Sequence, residues 1–381
     1  MYLDISEKLG IIKSQANLSN KSANQQSEKE KNMKKLIAML LAAVMMFALC
    51  ACGNTAAAPK SDSAPASEGT AADSPAAAPT YVFSFGTVDT DEHPSTMSAK
   101  KLGEILNEKA PGKWQIDVYP NSTLGGAAEL VESIQMGNVD MACPATAFLA
   151  NYAPSIGVLD LPYMFTNTSE AYAVLDGDIG QQLAADVEAV GMKCLGYWEV
   201  GFRCIANNAR PINSVDDVNG LRLRIMSNEI HQALFSALGV DPVPMGLADA
   251  LVANQQGTID GMDNPLSGLY TTSVYEFDKY IAVTNHVYTA QAVIMSNKAW
   301  DSMTPDDQAI FMEAVKEATE FNREQQAVQT ENAAQALEDK GCEITYPDVS
   351  GFAAKMDSVY SKFPQFTDTI AAIKAAAAAV G

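Results

Sequence analysis

Hydrophobic positions along the chain follow two different patterns. Residues 36–49 are apolar without a break, whereas from residue 81 onward apolar positions recur with the period of a strand or a helix. YVFSFGTVD (81–89) alternates and is rich in β-formers, which predicts a strand entering a glycine-containing loop. Met97, Leu102, Ile105 and Leu106 predict a helix over 95–109, broken by Pro111-Gly112. A strand at 114–120, a helix at 126–136 ended by Gly137, and a short strand from Val139 to Ala142 follow. This alternation predicts an α/β fold with mainly parallel pairing. Gly137-Asn138-Val139-Asp140 is echoed by Gly257-Thr258-Ile259-Asp260, each after an amphipathic helix, a hint of two similar lobes.

LRLRI (221–225) reads as a strand with Leu221, Leu223 and Ile225 on one face and Arg222 and Arg224 on the other. Asn228 then opens a helix striped by Ile230, Ala233, Leu234, Ala237 and Leu238 and closed by Gly239. Thr304-Pro305-Asp306-Asp307 is a helix start: Thr304 suits the cap, Pro305 the first turn, and the acids the positive helix end. No Gly or Pro interrupts the chain from Asp306 to Lys340, so the predicted helix runs about 50 Å, longer than a small domain is wide. It bridges two lobes or projects as an arm. Its apolar stripe fades after Phe321 without sustained heptads, which favours the bridge.

The continuous run belongs to a targeting segment. Lys34 and Lys35 precede it, and small residues with Cys52 follow, the layout of a secretory signal. It is too short for a comfortable membrane span, which needs about 20 residues. The segment resembles a bacterial lipoprotein signal with Leu49-Cys50-Ala51-Cys52 as the lipobox. Cys52 is the expected lipidation site, and plain secretion with nearby cleavage is the alternative. Met33 heads this signal better than Met1, so residues 1–32 read as an upstream extension that is not translated and 33–52 as the signal peptide. Residues 53–79, mostly Ala, Pro, Ser and Thr, read as a flexible tether.

The 381 residues suffice for two domains, and the formal net charge is −21. Residues 1–52 carry 7 basic and 4 acidic residues, which leaves the remainder at −24. That balance argues against a nucleic-acid partner and against attachment to anionic lipid by charge alone. His93, His231 and His286 lie far apart, so no local metal cluster exists and no cofactor is expected. Cys143, Cys194, Cys204 and Cys342 read as buried free thiols; Cys194 and Cys204 would pair only if the stretch between them formed a hairpin. GxSxG, HExxH, P-loop and GxGxxG motifs are all missing, so no enzyme signature stands out. His93, after Asp91-Glu92, has the chemistry of a base or of a hydrogen-bonding loop histidine.

Basic residues are scarce, which singles out Arg203, after a Gly201-Phe202 turn, and Arg224, just before a helix start. A guanidinium donates two parallel hydrogen bonds to a carboxylate, and a helix start adds unpaired N–H groups. A surface ion pair is the alternative for each. Asp263-Asn264-Pro265 lies where ligands bind in an open α/β sheet, though Asn-Pro is also a turn dipeptide.

Taken together, these stretches resemble a family. His93-Pro94, YPNSTLGG (119–126), GNVDMA (137–142), VLDLPYMF (158–165), GYWEVGFR (196–203), GLRLRI (220–225), ALGVDPVPM (237–245), GTIDGMDNPL (257–266) and the 279–286 run match, in order, the DctP-type solute-binding proteins of TRAP transporters. The resemblance runs from about Phe83 to about Phe363. It implies an α/β, two-lobed periplasmic-binding-protein-like fold with a hinge and a long helix spanning both lobes. It implies lobe I at 80–200 plus 290–330, and lobe II at 201–289 plus 331–381. Its function would be capture of an organic acid, a C4-dicarboxylate or sugar acid, between closing lobes. Delivery would be to one small and one large membrane subunit, with the protein held outside the cytoplasm by its lipid anchor. The carboxylate-binding arginine falls on Arg224, with Arg203, Asn264, Asn228 (or Ser227) and His93 as further ligand contacts. A sensor for a membrane kinase and an ABC-type binding protein are the alternatives. The chain departs from the family pattern at Ala127-Ala128, where an acid often follows LGG. It departs again at Leu247, which replaces an aromatic, and at Glu229, where proline is frequent.

Overall fold

The computed structural model describes residues 78–380. The upstream extension, the signal, Cys52 and nearly all of the tether lie outside the described residues. The strands are β1 (Tyr81–Gly86), β2 (Trp114–Tyr119), β3 (Met141–Ala142), β4 (Met192–Asn207), β5 (Arg222–Ile225), β6 (Asp241–Pro244), β7 (Gly261–Pro265), β8 (Tyr280–Ala282), β9 (Tyr288–Ser296) and β10 (Glu343–Thr345). The helices of eight residues or more are α1 (Pro94–Lys109), α2 (Ala127–Gln135), α3 (Thr168–Leu175), α4 (Asp178–Ala189), α5 (Glu229–Ala237), α6 (Leu247–Gln255), α7 (Pro305–Asp339) and α8 (Thr367–Ala378).

The fold is a mixed α/β arrangement of two lobes, each built on the same plan. In the first, β1-α1-β2-α2-β3 forms a parallel sheet ordered β2-β1-β3; in the second, β5-α5-β6-α6-β7 forms one ordered β6-β5-β7. The echoed tetrapeptides mark equivalent points. Gly137 and Gly257 both adopt positive φ (68° and 66°), and the aspartate three residues on accepts a backbone N–H from a strand of its own unit. Asp140 accepts from the Ser84 backbone N–H of β1 (2.8 Å), and Asp260 from that of Arg222 in β5 (2.8 Å).

Pairing is less parallel than the alternation of elements suggests. β4 runs antiparallel to β9 from Met192 to Phe202, then antiparallel to β7 from Arg203 to Asn207 and to β8 from Ile205. One 16-residue strand thus belongs to both sheets. These partners are distant in sequence, so hydrophobic period cannot reveal their direction. Gly201 is part of this strand rather than a turn: its φ of 107° accompanies a bulge beside Glu199. Cys194 and Cys204 lie on the same extended strand, roughly 30 Å apart by strand rise. They do not pair; all four described cysteines are buried and free.

Helix α7 starts as its sequence predicts. Thr304 Oγ1 accepts from the Asp307 N–H, and Asp307 also takes the Tyr81 hydroxyl (2.9 Å) and the Lys113 ammonium. It packs on α1 and β4, and farther on against Leu266–Thr271 and β10, so it bridges both lobes. Polar side chains fix the middle of this bridge. Asn322 Oδ1 accepts from the Glu199 N–H (2.7 Å), and Gln326 Nε2 donates to Val200 O and Ser267 Oγ (2.8 Å each).

Phe83, Phe85, Leu102, Leu106, Trp198 and Phe311 form the first lobe's core. The largest cluster joins residues of both lobes, from Ile134 and Val187 to Leu223 and Phe235, and takes in Phe352, Phe363 and Phe366 of the C-terminal segment. Helix α8 packs on α3 and α4, so this last helix sits with first-lobe helices, whereas Asp357–Tyr360 just before it packs on α5. Sequence separation alone gives no sign of this return.

Phe311→Ala removes a fully buried ring from the face of α7 that meets the first-lobe core, and should cost about 3–5 kcal/mol. Val328→Ala, on the same helix but 53% exposed, should stay within about 0.5 kcal/mol. Denaturant midpoints of the two variants check the contrast.

Candidate functional site

The carboxyl ends of β5 and β7 in one lobe face the loop after β1 in the other, and β4 and β9 pass between. A cavity lies at this meeting point. Its lining includes Asp89, His93, Arg203, Arg224, Asn264 and Gln291, and its volume is about 50 Å³, room for a few waters. Four of the five ligand contacts expected from the sequence, Arg224, Arg203, Asn264 and His93, converge here. Ala127 and Leu247, two of the departures from the family pattern, line it as well.

Arg224 and Arg203 have opposite circumstances. Alternation along β5 sends Leu223 and Ile225 into the core and turns Arg224 to the other face, where it is still only 3% exposed. Its Nε donates to Met245 O (2.9 Å); among the described residues neither terminal nitrogen has a protein acceptor, and no carboxylate lies within ion-pair distance. Burial brings its pKa down to about 10, with Asp263 opposing and Arg203 adding to that shift. The guanidinium therefore stays charged at neutral pH. A buried cation without a partner carries an unrecovered desolvation cost, which an entering anion offsets.

Arg203, 2% exposed, is fully committed. It sits where β4 exchanges β9 for β7, and its Nε and Nη2 donate to the two carboxylate oxygens of Asp263 (2.5 and 2.9 Å). Nη1 reaches Asn264 Oδ1 and Thr289 Oγ1, both at 3.4 Å. His286 Nε2 lies 3.3 Å from Asp263 Oδ2, and its Nδ1 faces Thr284 Oγ1 at 2.8 Å. Burial would raise the Asp263 carboxyl; the Arg203 charge and hydrogen bonds, with His286, overcome this and hold it well below the usual carboxylate range. Burial lowers the His286 pKa against the pull of Asp263, which keeps the ring neutral and suits a single N–H directed at the carboxylate.

The first lobe supplies a polar wall. His93 is the N-cap of α1, and its Nδ1 accepts from the Ser95 N–H (3.3 Å). With Nδ1 accepting, the ring N–H lies at Nε2. Gln291 on β9 donates to Asp89 Oδ2 (2.8 Å) and accepts from the Ser95 hydroxyl. Asp89 and Gln291 were not among the candidate site residues; Asp263 was named only within Asp263-Asn264-Pro265, and His286 only as one of three separated histidines. Asp263 and His286 lie inside the matching blocks, a usable signal; Asp89 and Gln291 are 202 positions apart, and only folding joins them.

Asn228 is the expected contact that the structure keeps away from this cavity. It caps α5, accepting from the His231 N–H (2.7 Å), and its Nδ2 donates to Asp160 Oδ2 (3.2 Å) and Ala147 O (3.4 Å). A short polar residue before an apolar helix serves as cap first. A larger hollow of about 540 Å³ between α4, β4 and α7 has no such chemistry. Its Lys316 is exposed, and its Arg323 is held by both oxygens of Asp176 (2.7 Å each).

Residues 85–365 match the DctP family, described as bacterial extracellular solute-binding protein, family 7. The C4-dicarboxylate-binding periplasmic protein DctP of Rhodobacter capsulatus is 32% identical over 314 residues, covering 80% of this chain and 93% of that protein. A TRAP periplasmic solute-binding protein of Polaromonas sp. JS666, solved bound to D-erythronate, superposes with a TM-score of 0.76 at 29% identity, covering 77% of this chain and 98% of the other. One from Sulfurospirillum deleyianum, with bound succinate, gives 0.73 at 31% identity, covering 80% and 100%.

Asp263→Asn leaves Arg203 buried without a counter-charge and should cost about 3–5 kcal/mol. The pair's contribution should be fully present above the unfolded carboxyl's pKa, about 3.9, because the folded value is depressed. It should be lost as pH falls from there through the folded value. Urea unfolding of wild type and variant at pH 7 and pH 3.5 checks both statements: the difference between them should shrink in acid.

Proposed function

Since the chain belongs to the DctP family of bacterial extracellular solute-binding proteins, we propose that it captures an organic acid by docking a carboxylate on Arg224 and delivers it to the membrane subunits of a TRAP transporter. The observation that carries this reading is the buried guanidinium of Arg224 beside a cavity, whose terminal nitrogens find no acceptor among the described residues. A carboxylate meets that fork with two parallel hydrogen bonds. Arg203 shapes the site by holding Asn264 and Thr289 rather than by presenting a free charge. Asn264 and His93 offer further donors.

Capture works by differential contact. The ligand touches both walls only when the lobes are together, so it favours the closed state. The boundary we assign places 80–200 and 290–330 in one lobe and 201–289 and 331–366 in the other, with α8 joined to the first. Strand β4, the start of β9 and helix α7 cross it and form the hinge. The protein's charge of −21 opposes an anion at long range. Screening limits this to about 8 Å at physiological ionic strength, within which the local cation dominates. The Cys52 lipid anchor and the small and large membrane subunits complete the proposed setting. Among the described residues no helix is long and apolar enough to cross a membrane.

A thermal-shift series against mono- and dicarboxylates, sugar acids and neutral sugars tests the reading, because a ligand of the folded state raises the melting temperature. Acids alone should produce shifts. Arg224→Lys keeps the charge but loses the fork. With hydrogen bonds to charge worth about 1.5–3 kcal/mol each, affinity for the acid that shifts wild type should fall about 10- to 100-fold. Unchanged affinity in titration calorimetry removes Arg224 from the site.

A further inference from the structure

Asp89 puts a carboxylate into the same cavity as Arg224. Its Oδ2 is occupied by the Gln291 amide (2.8 Å) and the Thr87 hydroxyl (3.2 Å); among the described residues its Oδ1 receives no hydrogen bond. The residue is buried and lines the cavity, and its carboxylate keeps this acceptor capacity for a ligand. We propose that Asp89 selects the ligand's far end, and that the ligand is a hydroxylated monocarboxylate of the aldonate type rather than a dicarboxylate. This deepens the reading of Arg224 as carboxylate anchor and rests on it.

The polar groups left free in the cavity make the case. Arg224 offers its two terminal nitrogens. Asn264 offers Nδ2, because its Oδ1 already accepts from Arg203. His93 offers Nε2, because its Nδ1 accepts from Ser95. Against these donors stands the Asp89 carboxylate, whose Oδ1 receives no hydrogen bond among the described residues. The second carboxylate of a dicarboxylate only accepts hydrogen bonds, so it would leave Asp89 unpaired and bring like charges together in a dry site. Three features disfavour an ammonium group. It has three donors and no acceptor, the charge of Arg224 repels it, and it leaves the N–H donors of Arg224, Asn264 and His93 unanswered. A hydroxyl both donates and accepts. It gives its proton to Asp89 and takes one from His93 or Asn264, which satisfies both sides. The charges are distributed in the same sense: Asp263 neutralises Arg203, Arg224 is left for one ligand carboxylate, and a second carboxylate would meet the like charge of Asp89.

Ala127 adds to this. It is a small apolar neighbour in the lining, so Asp89 is the acidic side chain that the far end of the ligand meets among the lining residues.

The test uses pairs that differ only at the far end: D-erythronate against meso-tartrate, and D-galactonate against galactarate, with erythritol and galactitol as neutral partners. Titration calorimetry at pH 7 should give, in at least one pair, affinity for the monocarboxylate ten times or more that for the dicarboxylate. Asp89→Asn, nearly isosteric, should reduce that ratio about tenfold, and circular dichroism of the variant should match wild type. A dicarboxylate bound as tightly as its partner or more tightly, or a ratio unmoved by Asp89→Asn, overturns the selection by Asp89 while leaving Arg224 as anchor. Binding of a neutral polyol with no binding of either acid overturns both.

Discussion

Two guanidinium groups are buried beside one cavity, and a single fully buried carboxylate stands between them. Asp263 gives both of its oxygens to Arg203 and shares one with His286, so it cannot also compensate Arg224 at contact distance. The site depends on this unequal division. Were Asp263 paired to Arg224 instead, Arg203 would be the uncompensated cation and the terminal nitrogens of Arg224 would no longer be open to an anion. With Asp263 locked to Arg203, one charge is spent on structure and the other is kept for a ligand. The lock sits at Arg203, the residue where β4 leaves one sheet and joins the other, so the same pair that silences one cation also fastens the two sheets together.

The duplicated architecture explains why such a site forms here. Each lobe contributes a parallel three-stranded unit, and polypeptide leaving the carboxyl ends of those strands is free to carry polar side chains. Asp89 and His93 come from the segment after β1, Met226 from the segment after β5, and Asn264 from the end of β7. Between the units run elements with no symmetric counterpart: the long strand, its partner β9, and helix α7. Gln326 and Asn322 pin that helix to the bulged part of β4, so the crossing elements behave as one body at their middle.

Much of this was legible in the sequence because it is local. The alternation in LRLRI places Arg224 opposite the core face, the Thr304 start and unbroken run describe α7, and the Gly-x-x-Asp echo marks the two units. What was not legible depends on segments distant in the chain. The antiparallel direction of β4 and β9 follows from neither residue period nor spacing. Asp89 reads as one more acid in an acidic chain until Gln291, 202 residues away, fixes it in the cavity wall. The last helix returns to α3 and α4, which composition cannot foretell. Asn228 shows a different kind of miss: its role as cap was visible, and the side chain of a cap has little capacity left for a ligand.

The four buried cysteines bear on how the molecule survives outside a reducing cytosol. Burial pushes the Cys194 thiol up to about 11 and Cys204 up to about 12, and it raises Cys143 and Cys342 as well. Thiolate, the form that attacks disulfides and oxidants, is therefore scarce at every one of them while the chain is folded. Nothing covalent protects these sulfurs; packing does. The same sulfurs become reactive whenever the core opens, so in an oxidising medium each unfolding excursion competes with crosslinking. Chemical lifetime in such a medium is then governed by how rarely the core breathes, a kinetic quantity rather than an equilibrium one.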